Sequence, residues 1–597
     1  MAEITAPIGA SFVPPRWTEA GLGAAGIVAS IVAAVACIRV RTPVESDYGL
    51  VAAMPLAFWC AVGALTITML VALNRDPITW QLLALLQVCL CVAVYSAPSL
   101  VTDIPRTEVA WRHLGITETL LGSGQVNSDI DAYFSWPGFF AGLGAVLKIS
   151  GLDPQSAALW APLINGLLWL MAVGLVLRAL TDVKRHRWLA MWVFTMTNWI
   201  DQDYLSPQAL AFFLYLVVLA LLLTVLAADP SMSLRAALQE NGVAEGALIW
   251  WSSRRPSEVS RRRRLGGMVL VVLLSMIIVM SHQLTPFILL GAVFLLTITG
   301  RSWAPGLVPV IGLGLALWLV TGASGYLTGH PVLGLQDVGT SAAANVSDRL
   351  QGSPGHVMVG NVRTLFTASW WLLAAFGTVR LARRRSLDRR AVLLFLVPFL
   401  LVPANSYGGE MMLRATLFAS PFTAYLAAGA LLPHRRLHRW PGTAALAVLL
   451  TVAFVAMFTA RYGNARFDMF SQDELDGSRA LYSLTPPGAV LIAAAHPTPW
   501  RFSNYGDFRH VTLTDLCPAD EQLTRCAPEI LSRAARGEAG AMLMVNRGHL
   551  ASMDIQADHS TAEVTALEAL LTRGGDAVLV YRNPDVRIYL IRPQEGR

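Results

Sequence analysis

Runs of apolar residues recur along most of the chain, at positions 20–37, 50–73, 82–94, 157–177, 188–200, 210–226, 265–280, 287–299, 307–320, 364–379, 391–403, 415–432 and 444–459. At about 1.5 Å per residue, most are long enough, or nearly so, for a helix to cross a hydrocarbon core of about 30 Å. They predict about thirteen transmembrane helices. The stretch 137–150, with Lys148 near its end, reads as an amphipathic helix lying at the interface. Beyond residue 460 the pattern changes to short apolar strand candidates at 489–495, 541–545, 577–581 and 586–591. The last two are joined by the turn signature Asn583-Pro584-Asp585. Helical stretches at 474–482, 528–535 and 561–571 intervene, the pattern of a small α/β fold. The expected organisation is a membrane domain over residues 1–460 followed by an α/β domain over 461–597.

Composition agrees with that reading. Of 597 residues, 55% are hydrophobic and 14% charged, against about 25% charged in soluble domains. Mean hydropathy is +0.52. A net charge of +6 does not point to nucleic acid, because the basic residues sit in short loops between apolar runs. Cys37, Cys60, Cys89 and Cys91 fall in apolar stretches and read as small buried hydrophobes. Cys517 and Cys526 could pair if their domain faces an oxidising compartment. No spacing resembles a zinc site. The first apolar run has no basic leader before it and is expected to be retained.

Basic loops orient the chain. They are residues 184–187, 254–264, 380–390 and Arg435-Arg436 with Arg439, all expected in the cytoplasm. Crossings between two such loops must be even in number. This places Asp201-Gln202-Asp203-Tyr204, Ser281-His282-Gln283, the 321–360 loop, and Ser406-Tyr407-Gly408-Gly409-Glu410 with Arg414 outside. One crossing before Lys184 puts Asp129 and Asp131 on the same side, and one after Arg439 exports the C-terminal domain. Counting back puts the N-terminus inside and Arg39 and Arg41 outside, against the charge rule; the pair can snorkel. Runs 188–200 and 287–299 are short for a bilayer, so their outer ends should line a cavity below the membrane surface.

Candidate chemistry lies on that outer face. Val126–Phe140 carries Asp129 and Asp131 beside Tyr133 and Trp136, groups able to take a proton and to stack on a sugar. A solvated turn with an interfacial aromatic anchor is the structural alternative. Asp131, closer to the membrane boundary, should be the more desolvated acid, with a raised pKa that favours proton uptake. Asp201, Asp203 and Tyr204 join two helices, and Ser206 or Asp203 could cap the second, which begins at Pro207. His282 and Gln283 are costly near lipid unless partnered. Glu410 and Arg414 stand four apart, an intrahelical pair; alternatively Arg414 holds a lipid phosphate through its planar fork. In the C-terminal part, His496, Trp500 and Tyr505 could contact a carbohydrate or simply build a loop.

The segments 128–140, 202–208, 281–286 and 409–414, on a multispanning layout, resemble the GT-C superfamily of integral-membrane glycosyltransferases. The resemblance covers most of residues 80–460. It implies a polyprenyl-phosphate-linked sugar donor, an extracytoplasmic glycan or protein acceptor, and Asp129 or Asp131 as general base. It also implies substrate binding by Asp201, Asp203, Tyr204, His282, Gln283, Glu410 and Arg414. Three spans rather than the usual one precede the acidic loop. The Asp-X-Asp spacing allows a divalent cation, although many relatives need none. The expected activity is hexosyl or pentosyl transfer at the cell membrane. The competing class is a transporter or flippase of lipid-linked saccharides, which would need charged residues near mid-span and internal repeats.

Overall fold

The structure, a computed structural model, describes residues 18–231, 234–327, 352–403, 410–432, 440–537, 539–556 and 559–592. The expected sites at Ser406-Tyr407-Gly408-Gly409 and the basic loop with Arg435, Arg436 and Arg439 lie outside the described residues, as does most of the 321–360 loop. Every apolar run contains a helix. Among the described residues, six helices are long and apolar enough to cross a membrane: Glu19–Ile38, Leu56–Leu73, Pro154–Leu180, Arg261–Ser281, Pro354–Arg383 and Gly442–Tyr462. Trp80–Tyr95, Pro207–Leu223, Thr285–Ile298 and Leu307–Thr321 are shorter apolar helices, as is Gly138–Ser150, the expected interfacial element.

Proline sets two departures from the hydropathy pattern. The run 50–73 is broken into helices Leu50–Ala53 and Leu56–Leu73, with Met54 extended before Pro55, because proline disfavours helical backbone in the residue it follows. The run 391–403 begins as the helix Arg389–Leu396 and tightens into a 3₁₀ turn at Val397–Leu401, with Pro398 in its first turn. Elsewhere proline opens helices behind a side-chain cap. Asp153 caps the helix from Pro154, Ser206 the helix from Pro207 and Ser353 the helix from Pro354.

The bundle has two chemically different ends. At one, arginines cover helix C-termini: Arg185 donates to the Leu73 carbonyl at 2.9 Å, and Arg390 donates to Ala179 at 2.9 Å and Leu223 at 3.2 Å. Those carbonyls have no partner within their own helices and sit at the negative end of each helix dipole. Leu365, Leu372 and Phe376 remain exposed along Pro354–Arg383, as a lipid-facing surface requires. The same helix crosses Met411–Leu431 so closely that a Cβ on Gly377 would lie 1.9 Å from the Leu426 carbonyl oxygen; small residues permit such contact in membrane bundles.

The other end carries a five-stranded sheet. Strands β1 (Ala228–Pro230) and β2 (Arg254–Pro256) form a separate short ladder. The sheet orders β3 (Val490–Ala493), β4 (Arg509–Thr512), β5 (Ala541–Asn546), β6 (Ala577–Arg582) and β7 (Val586–Ile591) as β4-β3-β5-β7-β6. β3 is parallel to β4 and β5, while β7 runs antiparallel to β5 and β6. Alternate residues feed two cores: Val490 and Ile492 on one face, Leu491 and Ala493 on the other. Strand β4 escaped the sequence pattern because its Arg509-His510-Val511-Thr512 lacks an apolar run. Cys517 and Cys526 are bridged, with Cα atoms 5.8 Å apart.

Candidate functional site

The loop Asp201–Tyr204 organises this end of the bundle. It follows the short helix Lys184–Thr197 and precedes Ser206, whose hydroxyl accepts from the Ala209 amide at 3.1 Å. Two of its residues converge on Arg461 and the other two reach Arg414 and His113. Asp201 pairs with Arg106 and, at 3.0 Å, with Arg461. Gln202 accepts from Arg414. Asp203 is fully buried and takes both oxygens to Arg461 Nη2, at 2.6 and 2.7 Å. Tyr204 stacks on His113 at 5.9 Å between centroids. Asp201 holds φ at +30°, a sparsely populated region for a non-glycine residue, against the pull of two arginines.

Arg414, 7% exposed, opens the helix Met411–Leu431. It donates to the side-chain oxygens of Gln202 and Gln208, and to Glu410 at 2.7 Å. The intrahelical pair therefore exists, but two neutral amides, Gln202 from the loop and Gln208 from the helix Pro207–Leu223, share the same guanidinium. His282 Nδ1 accepts from the amides of Leu284 and Thr285 at 3.3 and 3.2 Å and lies 3.0 Å from the Thr285 hydroxyl, just before the helix Thr285–Ile298. Its ring remains within electrostatic reach of Arg414 and His113. Gln283 is partly buried beside it.

The acidic loop differs from expectation in three ways. Asp131 is indeed buried, but it is not a free carboxylate. It accepts from Arg112 Nε at 2.5 Å, the Tyr505 hydroxyl at 2.7 Å and the Tyr133 amide at 2.9 Å. Burial alone pushes its carboxyl up, yet the Arg112 guanidinium and these donors hold it below the usual carboxylate range. The expected rise in pKa is thus reversed. Asp129 is exposed in an Asx turn closed by Asn127. Trp136 is buried against Tyr326, and the half-buried Tyr133 packs on His113 and Phe140 with the Arg112 guanidinium 5.2 Å from its ring centre. Among the described residues no His/Cys/Asp/Glu cluster of metal-binding form occurs.

Several residues that matter here carried no sequence motif. Arg106, Glu108, Arg112 and His113 lie on or just before the helix Glu108–Ser123, a moderately polar stretch that neither hydropathy nor spacing marks. His113 is buried, with Nδ1 2.7 Å from the Leu205 carbonyl, and burial pushes its pKa down to about 4. The same helix is the docking rail for the sheet. Trp500 Nε1 donates to Glu108 at 3.1 Å, and the Asn504 amide donates to Glu118 at 3.0 Å. Gly115 sits under Arg501, where a Cβ would lie 1.8 Å from the Arg501 carbonyl oxygen. Trp500 and Tyr505 are buried in this seam, which removes them as open sugar-stacking surfaces; His496 is exposed.

A cavity of about 300 Å³ opens in the seam, lined on one side by Arg106, Glu108, Asp201 and Asp468. Burial raises the Glu108 carboxyl to about 7 from an ordinary 4.5. The folded protein therefore binds this proton more tightly than the unfolded chain. The associated stability is complete below about pH 4.5 and is lost as pH rises through about 7. Glu108→Gln keeps an oxygen for Trp500 and should match the parent near pH 5. Near pH 8 it should be the more stable by about 1–3 kcal/mol. Thermal unfolding in detergent at both pH values checks this; an offset independent of pH would remove Glu108 as the cause.

No family model and no curated protein matches the chain. Among solved structures it is similar to the Archaeoglobus fulgidus oligosaccharyltransferase in the apo form, at 11% identity and TM-score 0.47, over 87% of this chain and 75% of that one. It is also similar to ArnT from Cupriavidus metallidurans bound to undecaprenyl phosphate, at 13% identity and TM-score 0.45, over 85% and 97%. A third is the arabinofuranosyltransferase AftD from Mycobacteria, at 13% identity and TM-score 0.43, over 86% of this chain but 42% of that one. At such identities and scores these likenesses assign neither a family to the chain nor a role to any residue.

Proposed function

We propose that this chain is a membrane glycosyltransferase that moves a sugar from a polyprenyl phosphate carrier to an acceptor on the extracytoplasmic side. The arginine-covered end of the bundle is then cytoplasmic, by the excess of positive charge there. The sheet lies outside, where a Cys517–Cys526 bridge is chemically at home. The observation that carries the reading is the junction at Asp201-Gln202. One residue holds a buried guanidinium, Arg414, and its neighbour presents a carboxylate to a polar cavity.

In the transfer, the acceptor hydroxyl oxygen bonds to the anomeric carbon as the bond from that carbon to the phosphate oxygen breaks. The electron pair leaves with the polyprenyl phosphate, whose added charge Arg414 offsets through a fork held in place by Gln202 and Gln208. The hydroxyl proton passes to a carboxylate. We assign that step to Asp201, which is paired with Arg106 and Arg461 but is about one-third exposed and lines the cavity, rather than to the buried Asp131 or to Asp129. Asp131 acts as a positioning residue for Arg112 and Tyr505. Transport of lipid-linked saccharides fits less well. Among the described residues, the buried charges Asp203, Arg414 and Arg461 all lie at one end of the bundle rather than at mid-span.

Asp201→Asn should lower the turnover of reconstituted enzyme on a polyprenyl-phosphate sugar by about 10²–10⁴-fold with little loss of thermal stability. Asp131→Asn should lower the unfolding temperature and reduce transfer to a smaller extent. Full transfer by Asp201→Asn, with loss in Asp131→Asn at unchanged stability, would return the proton to Asp131.

A further inference from the structure

We propose that the seam cavity binds a neutral saccharide, the acceptor of the transfer, and that the sheet unit supplies half of its recognition surface; this rests on the transferase reading above. The two walls come from distant parts of the chain. Arg106, Glu108, Asp201 and Asp468 form one, and His496, Thr514, Ser552 and Gln556 form the other.

The volume of about 300 Å³ lies at the lower end of small-ligand pockets, enough for a short saccharide rather than a lipid tail. Its chemistry is that of a polyol site. Carboxylates accept from sugar hydroxyls, the guanidinium and amide donate to them, and Phe467 and Phe470 offer apolar surface to C–H faces. Arg106 is the pointer to a missing partner. Its side chain is 8% exposed, and its Nη1 makes no hydrogen bond among the described residues. Asp468 stands 3.8 Å from that nitrogen, an ion pair too long to be a direct hydrogen bond. A buried donor left in this state costs free energy until something fills it.

Charge selects the ligand class. Asp201 and Asp468, with a Glu108 that is only partly ionised near pH 7, line the cavity against one guanidinium, and behind them Asp203 offsets Arg461. A phosphate or uronate would meet net repulsion there, whereas a neutral sugar would not. The donor phosphate therefore belongs on the Arg414 side of the Asp201-Gln202 junction and the acceptor on the cavity side. Adjacent residues of one loop would then bring the two substrates together.

The test uses the full chain in nanodiscs with a panel of neutral disaccharides of gluco, galacto, manno and arabino type, and with inorganic phosphate and a glucuronate disaccharide as anionic probes. Saturation-transfer NMR reads binding. At least one neutral member should bind, and the anionic probes should not compete. Gln556→Ala should weaken binding about tenfold, the worth of a hydrogen bond to a fixed polar group. Thr514→Trp, which narrows the cavity, should abolish binding. Because the tryptophan could also disturb folding, Gln556→Ala decides the matter if the unfolding temperature of Thr514→Trp falls. Binding unchanged in both variants, binding only of an anionic probe, or no neutral binding at all would overturn the proposal. Saccharide binding without transfer from any polyprenyl-phosphate sugar would sink the transferase reading instead and leave the site standing.

Discussion

Arg461→Leu is expected to destabilise the protein by about 3–5 kcal/mol, the largest single effect among the charged residues. Asp203 is fully buried, and Arg461 is the cation that binds both of its oxygens. Removing the guanidinium leaves a buried carboxylate without its hydrogen-bond donor, with Arg106 as a more distant cation. Asp201 would lose one of its two arginines as well, retaining Arg106. The converse change, Asp203→Asn, should cost less, because Arg461 keeps Asp201 at 3.0 Å and the Asn198 carbonyl at 3.2 Å. Combining Arg461→Leu with Asp203→Leu should recover much of the loss, since an apolar pair of similar volume avoids both desolvation penalties. Denaturant unfolding in mixed micelles measures all three. Additive losses in the double variant would show that the pair is not coupled.

Arg414→Ala is expected to lower transfer by about 10²–10³-fold, the usual consequence of removing one preorganised group that meets developing charge. Arg414→Lys should recover little of it. A lysine could keep Glu410 at four residues' distance, but it cannot serve Gln202 and Gln208 together with a phosphate through one planar fork. The accompanying readout is affinity for the polyprenyl phosphate alone. Loss of turnover with unchanged lipid affinity places Arg414 in the transition state. Loss of both in proportion places it in ground-state binding. Unchanged turnover in Arg414→Ala would remove it from the donor site.

Features that depend on neighbours in the chain were legible in the sequence. Apolar run length marked the long apolar helices, though not the more polar helix Glu108–Ser123, because backbone groups facing lipid must bond within their own segment whatever the partner helix. Ser206 before Pro207, the Asn583-Pro584-Asp585 turn and the Glu410–Arg414 pair are contacts of a few residues' reach, and each was readable. Short apolar runs marked four of the five strands of the sheet, and missed the one that is polar and only four residues long.

Which charges meet was settled by the folded chain. Asp203 and Arg461 are separated by 258 positions, Asp131 and Tyr505 by 374, and Glu108 and Trp500 by 392. No local pattern encodes such partners, and an acid's proton affinity depends on them more than on its depth. Asp131 shows this most clearly. Its burial was legible from its place at the membrane boundary, but whether burial would raise or lower its pKa rested on Arg112, one turn beyond Glu108 on a helix without a motif. Coulombic attraction from a guanidinium in direct contact outweighs desolvation, and it is folding that brings the two together.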